Sequence, residues 1–128
     1  EYSHLGNHEE ALKRFEEVRV MRLEILGAKH VSYATSIHFI GVEHGHLGHP
    51  KESLELLQEA ASLRLELLKS KHPDYLTTLF ELSLAHRRLD HNDESFRLMQ
   101  EVHTSRLEVL GSSHPDTRKA ADTLKNWS

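Results

Sequence analysis

Leu5-Gly6-Asn7-His8-Glu9-Glu10-Ala11-Leu12 returns as Leu47-Gly48-His49-Pro50-Lys51-Glu52-Ser53-Leu54, and again as Leu89-Asp90-His91-Asn92-Asp93-Glu94-Ser95-Phe96. Positions 5, 47 and 89 set a spacing of 42 residues. A second block keeps step with the first: Arg22-Leu23-Glu24-Ile25-Leu26, Arg64-Leu65-Glu66-Leu67-Leu68 and Arg106-Leu107-Glu108-Val109-Leu110. His30, His72 and His114 form a third series, and the last two are followed by Pro-Asp. Three registers that agree without a gap make internal repetition the organising fact of the chain. Such a unit cannot bury its apolar face alone and must stack on its neighbours.

Each period holds two helix-length stretches. From Glu9 to Leu26 apolar residues fall at Ala11, Leu12, Phe15, Val18, Met21, Leu23, Ile25 and Leu26, mostly three or four apart, which is one buried stripe on a helix. The next copy carries Leu54, Leu57, Ala60, Ala61, Leu65 and Leu68. The other helix is predicted from Val31 to His46, with Tyr33, Ile37, Ile40 and Val42, and from Pro73 to Leu89, with Tyr75, Leu79, Leu82 and Leu84. A last one runs from Pro115 to Trp127, so the reading is all-α with six helices. Pro73 and Pro115 suit a first helical turn, and Asp74 and Asp116 favour its positive end. Asn7 with Glu10 reads as a reciprocal cap, and Gly27 and Gly111 as helix stops that call for a left-handed residue. Short connections make successive helices antiparallel.

Composition closes other routes. Sixteen Lys and Arg against twenty Asp and Glu give a net charge of −4 with the twelve histidines neutral. That balance argues against a general nucleic-acid binder. The absence of cysteine removes disulfides, thiolate zinc sites and thiol nucleophiles, and fits a reducing compartment. No apolar run is long enough to span a bilayer. Glu1 at the first position predicts a piece of a longer protein. No phosphate loop, nucleophile elbow or His-Glu-x-x-His is present, so no catalytic residue, enzyme activity or cofactor is expected. His44-Gly45-His46-Leu47-Gly48-His49 gathers three imidazoles, but no carboxylate or cysteine completes a set. The expectation is no metal site.

The two-helix unit resembles the tetratricopeptide repeat, which wants small residues where its helices cross. Gly41 and Ser83 match the first such place, Ala11, Ser53 and Ser95 the second, and Ala60 the third; Val18 and Val102 depart from the third and suggest looser crossings. The 42-residue period and Leu110-Gly111-Ser112-Ser113-His114-Pro115-Asp116-Thr117 are similar to the kinesin-light-chain type of repeat. The resemblance implies a right-handed α-solenoid of antiparallel pairs: one second helix at 7–27, repeats at 30–69 and 72–111, and a further first helix at 114–127. It also implies an adaptor or scaffold module in the cytoplasm that holds a partner peptide in a concave groove. Transferred by register with the small residues, the groove positions are Thr35, His38, Val42 and His46, then Thr77, Phe80, Leu84, Arg87 and Arg88, then Lys119, Asp122 and Asn126. Arginine offers carboxylates a planar fork, so the implied partner is an acidic peptide with an apolar anchor, with neither nucleic acid nor membrane involved. His38-Phe39 and Phe80-Glu81 stand where kinesin light chains carry paired asparagines. His38, Val42, Phe80 and Leu84 replace the carboxylate clamp of chaperone-binding members. The alternative is a spacer or self-association module acting through its ends, where Tyr2, Leu5, Leu124 and Trp127 lack a next repeat.

Overall fold

A computed structural model describes residues 4–26 and 31–127. The described residues form α1 (His4–Leu26), α2 (Val31–His46), α3 (Pro50–Leu68), α4 (Pro73–Arg88), α5 (Asn92–Leu110) and α6 (Pro115–Trp127), with no strand among them. Each helix packs on the next, and α2 also meets α4. The stack therefore closes up along α2 and α4, and α6 joins them by the register of the repeat, so that these three make the inner wall of an all-α stack. Tyr2, Gly27 and His30 lie outside the described residues, as do the side chains of Leu5, Met21, Leu23, Ile25 and Leu26.

The repeated histidines are caps. His72 Nδ1 accepts the Asp74 N–H at 3.0 Å, and His114 Nδ1 accepts the Asp116 N–H at 3.0 Å. Each imidazole thus satisfies one of the free donors at a helix start, with proline taking the place that needs none. The same turns are gripped from the preceding long helix: Arg64 Nη1 donates to the Asp74 carbonyl at 2.8 Å and Arg106 Nη1 to the Asp116 carbonyl at 3.0 Å. Arg64 and Arg106 of the Arg-Leu-Glu blocks are therefore buried ties between consecutive helices rather than surface charges.

Asn7 departs from its predicted place. α1 already runs from His4, so Asn7 lies within the helix instead of capping it. Its counterparts His49 and His91 do stand at the starts of α3 and α5, but neither side chain caps the turn.

The helix stop at Gly111 has φ +87°, as its position requires. The matching residue one period earlier is Lys69, which is held at φ +81°. A side chain at positive φ is strained by about 1–2 kcal/mol, whereas glycine is not. Lys69→Gly is accordingly expected to stabilise the fold by about 0.5–1 kcal/mol in urea titrations, after the entropy glycine adds to the unfolded chain is offset. No gain in midpoint would mean the turn carries no strain.

The core runs through all units: Ile37, Ile40, Leu57, Ala60, Leu76, Met99 and Val102 are fully buried. The small residues mark close crossings. A Cβ on Gly41 would stand 2.9 Å from Leu57 Cγ, and Ser83 Oγ donates to the Ser95 carbonyl at 2.6 Å. Val102, where a looser crossing was expected, is fully buried, whereas Val18 remains 37% exposed. The apolar end expected at Leu124 and Trp127 is partly covered. Both pack against the core, and Arg87 covers the Trp127 ring at 4.3 Å.

Candidate functional site

The inner wall is a helical stripe on each of α2, α4 and α6, and its twelve predicted residues divide into two groups. The first group is committed to the fold. Thr35 Oγ1 accepts from Arg64 Nη2 at 3.1 Å and donates to the Val31 carbonyl at 3.0 Å. His38 is buried against Thr78, its Nδ1 3.0 Å from Oγ1. Thr78 also accepts from Arg64 Nη1 at 2.9 Å and donates to the Asp74 carbonyl at 3.3 Å. One hydroxyl thus uses its single donor and both lone pairs, which makes His38 the donor through Nδ1–H. Burial first, and the Arg64 charge second, push the His38 pKa down to about 4. Val42 and Leu84 lean on the core, and Phe80 is buried beneath Arg106 at 5.0 Å. Thr77 donates to the Pro73 carbonyl at 3.0 Å, and Arg87 lies on Trp127.

The second group is accessible. His46, Arg88, Lys119, Asp122 and Asn126 are exposed. His46 stacks on His8 with centroids 4.5 Å apart, and His8 Nδ1 is 2.5 Å from Glu43 Oε2. Lys119 Nζ sits over the Phe80 ring at 4.9 Å. Arg88 reaches from α4 to α2, where glycine leaves the room it needs: a Cβ on Gly45 would come within 2.5 Å of Nη1.

Two residues of the same wall were missed. Glu81, one step from Phe80, is half-buried with Lys119, Arg88, His46 and Arg106 facing it. Burial pushes its carboxyl above the usual range against the pull of those cations. Phe39, one period before Glu81, is 43% exposed and stacks on Phe15 at 5.5 Å. Phe15, Val18, Thr35, Ser36 and Phe39 line an apolar hollow of about 220 Å³ at the α1 end of the wall. Helical spacing puts 35, 39, 42 and 46, and 77, 81, 84 and 88, on single stripes, and that signal was available in the sequence. A larger hollow of about 400 Å³ opens on the opposite side, between α3 and α5 above Tyr75, Leu79 and Leu82.

His44, His46 and His49 do not converge. Among the described residues no group of three or more His, Cys, Asp or Glu could hold a metal ion, and no helix is long and apolar enough to cross a membrane.

Two family models, both described as tetratricopeptide repeat, match residues 2–66 and 76–116. Among solved structures, the chain is similar to the nearly identical TPR-like repeats of a Podosopora anserina protein described as a kinesin light chain. It superimposes with a TM-score of 0.88 at 25% identity, covering 95% of this chain and 58% of that one. A single-residue variant of the same repeats gives a TM-score of 0.88 at 25% identity, covering 95% and 57%. The chain thus spans less than two thirds of the structures it matches. A search of curated proteins finds no match.

Proposed function

The chain belongs to the tetratricopeptide repeat family, and on that premise we propose that its inner wall holds an extended acidic segment of a partner protein by its carboxylates and an apolar anchor. Tetratricopeptide repeats mediate protein–protein interaction and are typically non-catalytic. On this reading α2–α3 and α4–α5 are two whole repeats, α1 and α6 are halves of their neighbours, and the cysteine-free module works in the cytoplasm as an adaptor.

The observation that supports it is the convergence of three cations and an imidazole, from four helices, on one stretch of wall. His46 from α2, Arg88 from α4, Arg106 from α5 and Lys119 from α6 all face Glu81. One half-buried carboxylate offsets only part of that charge, and the chain's acidic surplus lies elsewhere. Arg88 and Lys119 are exposed and free to take partner carboxylates, and arginine does so bidentately. The hollow bounded by Phe15, Val18 and Phe39 would receive the anchor. Thr35, His38, Val42, Thr77, Phe80, Leu84 and Arg87 shape the wall from behind, and Asp122 and Asn126 border it on α6.

Arg88→Glu with Lys119→Glu is expected to weaken capture of acidic peptides from a peptide array at least about tenfold, which is about 1.4 kcal/mol. The parent complex should also weaken as salt rises. Unchanged capture by the reversed protein would remove the groove from the function. Arg87 is left alone in this test because its reversal would uncover Trp127.

A further inference from the structure

The run His44-Gly45-His46-Leu47-Gly48-His49 separates in the structure into two arrangements. His46 turns to the inner wall, while His44 and His49 bring their Nδ1 atoms to 3.0 Å with ring centroids 5.3 Å apart. The next period repeats the pair: His86 and His91 also stand at 3.0 Å and 5.3 Å.

The turn imposes this. The His49 N–H donates to the His44 carbonyl at 2.8 Å and the Gly48 N–H to Gly45 at 3.3 Å, with Gly48 at φ +79°. The His91 N–H donates to His86 at 2.9 Å and the Asp90 N–H to Arg87 at 3.1 Å, with Asp90 at φ +63°. These are Schellman closures, in which the residue beyond the left-handed position folds back on the third residue from the helix end. Apolar side chains usually make that contact; here two imidazoles do, brought together by the turn and sharing a hydrogen bond between their Nδ1 atoms that a metal ion would replace.

We propose that each histidine pair is a two-nitrogen chelate for a divalent d-block cation that favours cis nitrogen donors, Cu(II) or Ni(II). With metal–nitrogen bonds of about 2.0–2.1 Å, nitrogens 3.0 Å apart close an angle of about 91–97°. That is the cis angle of square-planar or octahedral sites and too narrow for tetrahedral zinc. Chelation needs neutral rings. The surroundings rank the two sites. His44 is faced by Glu16 and Glu52 as well as His49. His86 is faced by Glu94, Arg97 and His91, and Glu94 is already held by Arg97 Nη2 at 2.5 Å. The His44–His49 site therefore binds more tightly, and water completes the coordination of both.

The test is a titration of the intact chain with CuCl2 or NiCl2 at neutral pH, followed by calorimetry and, for copper, by EPR. His49→Gln is expected to remove one equivalent, the tighter, and His91→Gln the other. The double variant should bind two fewer than the parent, with two nitrogen couplings per copper in the parent signal. His103→Gln on α5 should remove neither. Far-UV circular dichroism shows that each variant is folded, and both substituted rings are exposed turn residues that cap nothing. Equal stoichiometry in the double variant and the parent, or copper carrying a single nitrogen, overturns the proposal.

Discussion

Arg64→Ala is expected to lower the unfolding free energy by about 3 kcal/mol in urea or guanidinium titrations. The guanidinium is buried and ties three elements together, reaching the Asp74 carbonyl at 2.8 Å, Thr78 Oγ1 at 2.9 Å and Thr35 Oγ1 at 3.1 Å. Each bond from a charged donor contributes about 1.5–3 kcal/mol, and of the three acceptors only Thr78 is buried away from water. Against this, alanine removes a buried charge and the cost of desolvating it, which is why the net falls well short of the sum. Burial is also what holds the Arg64 pKa below its ordinary value, with Asp74 opposing. Arg64→Lys should recover little, because a point ammonium cannot span acceptors arranged around a planar fork. A loss below about 1 kcal/mol for Arg64→Ala would show that the tie is incidental to the stack.

Acid should weaken the fold well before its carboxylates protonate. Burial holds His38 to a pKa of about 4 in the folded protein, against the ordinary histidine value of 6.5 in the unfolded chain. Above pH 6.5 both forms are neutral and the full stability is present. Below it the unfolded chain takes up a proton that the native state refuses, so stability falls with pH until the folded pKa is reached. A difference of that size amounts to about 3 kcal/mol at 1.36 kcal/mol per unit. His44 and His86 are displaced in the same direction and add to the slope. The groups facing His38 are Arg64 and Asp74, of opposite sign, so burial dominates. Urea midpoints measured from pH 7 to pH 4 should show the decline, and His38→Asn, which keeps a donor near Nδ1, should flatten most of it. An unaltered profile in that variant would mean His38 is not the group responsible.

The sequence carried the architecture because the architecture is itself periodic. Helix limits at Val31, His46, Pro73, Leu110 and Pro115 follow from apolar spacing and from proline at the first turn. His72 and His114 stood out by recurrence before Pro-Asp, but that their rings cap the turn came only from the structure. Asn7 was misread because its two counterparts do begin helices while the segment before it continues one. The functions of Arg64 and Arg106 were out of reach, since their partners lie ten residues on, across a turn whose geometry no local rule supplies. The groove was legible as a stripe but not as a surface. Whether His38 or Phe39 meets solvent depends on about 100° of helix rotation, which is set by how α2 crosses its neighbours. Glu81 escaped notice because its significance comes from cations on other helices.

The two joints of the stack are not interchangeable parts. At the first, Thr78 accepts from Arg64 and is itself bonded by His38; at the second, the matching places hold Phe80 and Ala120, and Arg106 rests on an aromatic ring instead. α4 thus shows a hydroxyl to the unit before it and a phenyl to the unit after. Copying the α4–α5 pair in tandem would set Phe80 beside a threonine whose imidazole donor is gone. Anyone lengthening this array by duplication would have to rewrite the junction, because the order of its units is written into how they mate.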